Sequence, residues 1–431
     1  MYFSSSSQKF RWMVLGLATG TQATATFVTY GVGPLAAIWQ QTFSLSQAQV
    51  GLLISMVNIG PLMSMLFIGR ALDQHGERWI VGVGSILLGL TMGVSSLLSS
   101  YLSLLVTLLL VGIFYGTAQP GGNKVVIKWF DSSQRGLATG IRQAGIPIGG
   151  ALAGWLIPLL SVRYDWPIAV QLQASSAFIG GLMFLLIYRD PVKESKIPTQ
   201  HVNFIGELRN LSRKKSLYPL LFSGFSLISF QMVLVAHLML YLKSKIEHMT
   251  LVSTGFMLSL CLLFGMLGRI TLAWLSDTIW KGNRIKPLEM ILWMSVVGLV
   301  VLVVLPEKIP IWCIYVVCSW LGFFGVGWYS LYIVEIGEKA KEHSVGLTVS
   351  YALTINQVAI IMAPFFFGLF VDWSNSYALP WIGLASLLSA SGIWLRKSSS
   401  IPFIEKRMEF NTPISGQNTP HEKRKKNRKI V

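Results

Sequence analysis

Apolar runs of about twenty residues recur from one end of this chain to the other, each long enough to cross a bilayer as a helix. Two of them, 50–68 and 79–98, are separated by only ten residues. The pattern leaves one fold class, an all-α membrane bundle of twelve helices. Composition agrees: 53% of residues are hydrophobic and 12% charged, about half the charge of a soluble chain. The three cysteines, Cys261, Cys313 and Cys318, fall inside apolar runs and suggest neither a disulfide nor a metal site.

A net charge of +17 would suit a nucleic-acid partner, but its distribution argues against one. On one side of the membrane the loops carry Arg163, Lys243, Lys245 and Lys308; the remaining Lys and Arg lie in the other loops, near helix ends or in the tails. This asymmetry is the positive-inside rule, and it predicts cytoplasmic termini in a cell (plasma) membrane. The domains follow. Residues 1–11 form an N-terminal tail, 12–188 a six-helix half, 189–216 a basic cytoplasmic linker, 217–395 a second six-helix half and 396–431 a basic tail. The first run has two readings, a signal peptide cleaved near Ala23-Thr24-Ala25 or an uncleaved span; its apolar character continues to Ile38, which favours the span. Spans 4, 5 and 10 are expected at 102–129, 135–160 and 311–334.

The loop between spans 2 and 3, residues 69–78 (GRALDQHGER), resembles the signature of the major facilitator superfamily, G-x-x-x-D-R-x-G-R-R/K. Gly69, Asp73, Gly76 and Arg78 match it, while Gln74 and Glu77 stand where the family has Arg. An echo in the second half, 273–281 (AWLSDTIWK), keeps Asp277 and Lys281 and has Ala273 and Trp280 in place of the glycines. A repeated half is itself a transporter signature. The resemblance implies two pseudo-symmetric six-helix bundles and a conformational latch. Asp73 would sit near the start of span 11 and Asp277 near the start of span 5, each facing a positive helix N-terminus.

Residues 112–154, spans 4 and 5, resemble the cyanate-permease-like and anion:cation-symporter-like branches, which implies an anionic small-molecule substrate. Depth leads to the same conclusion independently. Lys124 and Arg142 each lie about nine residues from the turn near Ser133, roughly 10 Å inside the helix ends. Burying either charge costs on the order of 2.5–3.5 kcal/mol. No Asp or Glu is expected deep in any span, since Asp73, Asp131, Asp277 and Glu335 belong to the cytoplasmic margin. The missing counter-ion would then be a substrate anion held by Arg142 and Lys124. The alternative is that both side chains snorkel or bond to backbone carbonyls freed around Pro120 and Pro147. Gly145, Gly149 and Ala153 continue the Arg142 face, a small-residue stripe that admits another backbone.

Gln22, Asn58, Gln231, His237, Asn356 and Gln357 are polar positions inside spans 1, 2, 7 and 11. Gln22, His237, Asn356 and Gln357 join the candidate substrate set, with interhelical bonding as the other role open to each. His237 also titrates near neutral pH and is a candidate for proton coupling; the other coupling ion is a counter-anion. No cofactor is expected.

The function these features point to is secondary transport of a small organic anion by alternating access. A second reading is efflux, because Gly136, Gly145 and Gly149 fit part of the helix-5 pattern of drug:proton antiporters, although Gly150 replaces its Pro and Ala153 its next Gly. A sensor built on a transporter fold is a different class. A membrane enzyme is disfavoured, since no nucleophile, base or metal ligands converge at one depth.

Overall fold

In the computed structural model every apolar run is a helix; the structure describes residues 5–190, 209, 211–280, 283–339 and 345–399. Among them ten helical segments are long and apolar enough to cross a membrane, and span 1 and span 2 complete the twelve. Span 1 (Ser5–Thr42) falls below that mark because its centre carries Thr19, Thr21, Gln22, Thr24 and Thr26. It packs on spans 5 and 6 as an interior wall of the first half.

Spans 2 and 3 form one helical run, Gln47–Ser95, broken only at Gly76. Gly76 has φ +81° and ψ 167°, a backbone that glycine alone adopts without strain. The open loop expected at 69–78 is therefore a one-residue corner. Behind it sits Asp190, just past span 6 (Trp166–Ile187). The Asp190 carboxylate accepts the Glu77 N–H at 3.0 Å. Burial and the adjoining Glu77 carboxyl hold Asp190 above the usual carboxylate range.

Span 4, read as continuous from sequence, is two helices, Tyr101–Tyr115 and Ala118–Trp129, parted at Gly116-Thr117. Span 10 repeats the device, with Ile311–Gly325 and Tyr329–Glu338 parted at residues 326–328. In both cases glycines at the joint relax helix propensity where the chain must bend. Span 5 is Ser132–Tyr164, span 7 Tyr218–Lys245, span 8 Leu251–Thr278, span 9 Ile285–Val304, span 11 Val345–Ser374 and span 12 Ala378–Ser399. Span 7 is almost entirely enclosed, the central post of the second half.

The Gly76 corner and the two linker ends mark one face of the molecule, called the linker face below; the loops at 43–46 and 375–377 mark the far face. The halves meet along spans 2 and 11 and along spans 5 and 8. A Cβ on Gly51 would strike the Pro364 carbonyl, and one on Gly368 the Gln47 carbonyl, so the backbones of spans 2 and 11 touch. Ser55 Oγ donates to Ile361 O at 2.5 Å, and Ser259 Oγ to Ala151 O at 2.7 Å. At the far end of the seam Asp372 accepts from Gln47 N–H at 2.9 Å and Ala48 N–H at 2.7 Å. A carboxylate of one half thus caps a helix of the other, where its charge opposes the helix dipole.

Most of linker 189–216 and all of tail 400–431 lie outside the described residues, as does Lys281; the Asp73 side chain is likewise not described.

Candidate substrate site between the two halves

Span 5 carries Arg142 into the interior, where it is fully buried. The glycine stripe explains how. Gly149 abuts the Ala23 carbonyl and a Cβ on Gly145 would lie 2.7 Å from Thr19 O, so span 1 packs backbone-first against span 5. That approach brings Gln22 into reach, and Arg142 Nη1 donates to Gln22 Oε1 at 3.0 Å. The break in span 4 supplies the other acceptors: Nη2 donates to Gln119 Oε1 at 3.1 Å and to Asn123 Oδ1 at 2.7 Å. Gly122 leaves room for the guanidinium, since a Cβ there would sit 2.7 Å from Nη1. Gln22 is oriented by its own donation to Thr26 Oγ1 at 3.1 Å. The Arg142 charge is thus held by three neutral amide oxygens, with Nε unpartnered and no carboxylate paired to it among the described residues. Asn123 is exposed, so the cluster borders open space.

Lys124 does not share this arrangement, and the expectation that it lacks a carboxylate is corrected. Its Nζ lies 3.3 Å from Glu77 Oε1 and donates to Leu72 O at 3.0 Å. Lys128 Nζ holds the other oxygen of Glu77 at 2.6 Å, and Tyr188 OH donates to it at 3.4 Å. Glu77 is fully buried. The loop expected at 69–78 is helix except at Gly76, and the carboxylate is held by Lys124 and Lys128 of span 4.

The structure adds a cation that the sequence reading passed over. Arg269 on span 8 donates from Nε to Val326 O at 3.2 Å, a carbonyl in the break of span 10. Its guanidinium lies over the Tyr329 ring at 5.3 Å, a cation–π contact. Both Arg142 and Arg269 act electrostatically on the Tyr329 phenol, and Arg269 acts on Tyr30 as well. Tyr30 accepts from Gln231 Nε2 at 3.4 Å, and Gln231 Oε1 accepts from Trp328 Nε1 at 3.1 Å. One guanidinium from each half thus lies near the Tyr329 phenol. Arg269 is nine residues from the end of its helix at Thr278, a depth equal to that of Arg142 at about 1.5 Å per residue. That count was the available signal.

The other sequence candidates are dispersed. His237 is buried in the seam between spans 7 and 11, Nε2 2.9 Å from Pro364 O and its ring 4.9 Å from that of Phe367. Gln357 Nε2 donates across the halves to Asn58 O at 2.9 Å. Asn356 is buried beside Tyr332. Gly76 forms the corner, and Arg78 Nε donates to Leu185 O at 2.7 Å, fastening span 3 to span 6. Gly69 faces open space. Asp277 pairs with Arg284 at 2.6 Å inside its own half, instead of capping span 5. No cluster of three His, Cys, Asp or Glu suited to a metal occurs among the described residues.

Comparison with known proteins fits this architecture. An uncharacterized MFS-type transporter of Mycobacterium tuberculosis is 27% identical over 286 residues, 65% of this chain and 62% of that protein. The hexuronate transporter of Bacillus subtilis is 30% identical over 155 residues, 36% of each chain. The match thus spans less than two thirds of either relative. Among solved structures, a bacterial homologue of the human lysosomal transporter Spinster superposes with a TM-score of 0.72 at 15% identity, over 92% of this chain and 97% of that one. The family model of the Major Facilitator Superfamily matches residues 18–364. The chain belongs to that superfamily.

Proposed function

We propose that this transporter moves a small organic anion, bound through its carboxylate between Arg142 and Arg269. The observation that carries the reading is the burial of Arg142 among neutral oxygens, with no carboxylate paired to it among the described residues. A buried guanidinium without a counter-ion favours whatever anion can reach it, and its planar fork matches a carboxylate. The exposed Asn123 marks the side from which substrate arrives. Relatives named for hexuronate and galacturonate support the substrate class, since each such sugar acid carries one carboxylate. In the alternating-access cycle the far-face seam parts and the anion, bridging cations of opposite halves, travels with the change. Uptake of a labelled carboxylate panel into proteoliposomes tests this. Transport confined to uncharged apolar compounds would remove the reading.

His237 has a packing role here, and coupling runs through a co-transported or exchanged ion at the central site. His237→Gln retains an N–H donor for the Pro364 carbonyl, so we expect transport and its pH profile to stay within about twofold of wild type, a change under 0.5 kcal/mol. A flattened pH dependence would return His237 to the coupling path.

The linker face is read as cytoplasmic and the membrane as the cell membrane. Gln200→Cys in a cysteine-free background should then resist membrane-impermeant maleimide in intact cells and react after permeabilisation. Rapid labelling of intact cells would reverse the orientation.

A further inference from the structure

We propose that a groove on the second half, at the linker face, binds one acyl chain of an anionic phospholipid whose headgroup is held by basic residues on its rim. The groove has a volume of about 440 Å³. Its floor is one stripe of span 7, Tyr218, Leu221, Phe222 and Phe225, at the i, i+3, i+4, i+7 spacing of a single helix face. Tyr351 of span 11 and Trp394 of span 12 form the sides. The groove exists because spans 11 and 12 each pack on span 7 more than on one another, leaving Tyr218, Phe222 and Phe225 of span 7 partly exposed. The Phe222 and Trp394 rings meet at 5.5 Å and close its base. Between Tyr218 and Phe225 the helix rises about 10 Å, room for the upper part of an acyl chain.

The mouth is polar. Tyr218 OH donates to Ser212 O at 2.5 Å, tying the short turn Lys215–Leu217 across the opening. Arg213 and Lys215 flank that bond in sequence and are exposed, and Lys397 follows Trp394 by three residues, also exposed. None of these three cations has an ion pair among the described residues, whereas Lys214 is used to bond Lys339 O at 2.8 Å and Arg396 lies 3.7 Å from Glu289. An apolar trough ending in a phenol, with three exposed cations within three residues of its lining in sequence, has the polarity profile of a phospholipid, with a negative headgroup preferred. This inference is independent of which solute is carried.

The test uses the full-length protein, purified and titrated with phosphatidylglycerol or phosphatidylcholine of matched chains. Native mass spectrometry counts retained lipid, and thermal unfolding follows the same titration. We expect one tightly held phosphatidylglycerol. Each rim cation contributes about fivefold to its retention, so Arg213→Gln with Lys215→Gln should weaken it roughly 25-fold. Ile355→Trp, which fills the groove, should abolish the same binding event; the rim variants are exposed and keep the test valid if the filled groove fails to fold. Equal retention of the two lipids would overturn the proposal in favour of ordinary annular packing. Undiminished phosphatidylglycerol binding in the double rim variant would overturn it as well. Binding seen only after deletion of residues 400–431 would assign the groove to the chain's own tail.

Discussion

Arg142→Gln is expected to weaken binding of the proposed anionic substrate by roughly 10- to 150-fold, the loss of a hydrogen bond to a charged group, on the order of 1.5–3 kcal/mol. Abundance should hold, because removing a buried charge relieves a burial cost and glutamine still meets the amides of Gln22, Gln119 and Asn123. Arg142→Lys should restore only part of the affinity. An ammonium keeps the charge but cannot span three amide acceptors and a carboxylate with one planar fork. Lys124→Gln is expected to leave affinity unchanged, because that lysine serves Glu77. Affinities measured on purified variants at one ionic strength decide the matter. Wild-type affinity in Arg142→Gln would sink the anion site, and an equal loss in Lys124→Gln would mean that the lysine turns inward during the cycle.

The second large effect lies at the seam. A side chain at Gly51 meets the Pro364 carbonyl and comes within 2.7 Å of Phe365 Cα, main-chain atoms that cannot swing aside. Gly51→Val should therefore wedge spans 2 and 11 apart and hold the far face open, with transport near background and normal expression. Inverting a two-state equilibrium from 99:1 requires about 5.5 kcal/mol, which a backbone clash supplies and a lost hydrogen bond does not. Asp372→Asn should act in the same direction more gently. It removes the charge from the helix terminus and leaves one oxygen acceptor for two N–H groups, shifting the populations by roughly 10- to 150-fold. Spin labels at Thr42→Cys and Ser376→Cys report the separation of the far-face loops. Unchanged distances in Gly51→Val would show that this seam does not govern access.

Much of this was legible before the structure. Helical runs of membrane length announce themselves through hydropathy alone, and Arg142 was found by counting residues from a turn. What the sequence could not convey was pairing at long range. Gln119 and Asn123 face Arg142 only because span 4 breaks at Gly116-Thr117. Glu77 looked peripheral because a loop was assumed where helix persists to the Gly76 corner. Arg269 lies nine residues from its helix end, a depth that a residue count alone would have given. Nothing local to Asp372 reveals that the helix it caps lies more than three hundred positions away. Periodicity encodes which face is buried, whereas partners follow from how two halves meet.

The buried knot of Glu77 with Lys124 and Lys128 bears on how freely this protein could exchange parts with its relatives. Family members carry arginine where Glu77 stands, so the sign of that position is reversed here, and two lysines on another span are matched to the reversal. Grafting a typical family sequence onto residues 69–78 would gather three positive groups around a closed corner, with one buried charge left uncompensated, a defect worth about 3–5 kcal/mol. The corner and span 4 therefore form one inheritance unit. Chimeras and divergent descendants must change them together, and a lone substitution at Glu77 toward the common residue is a step backwards in fitness.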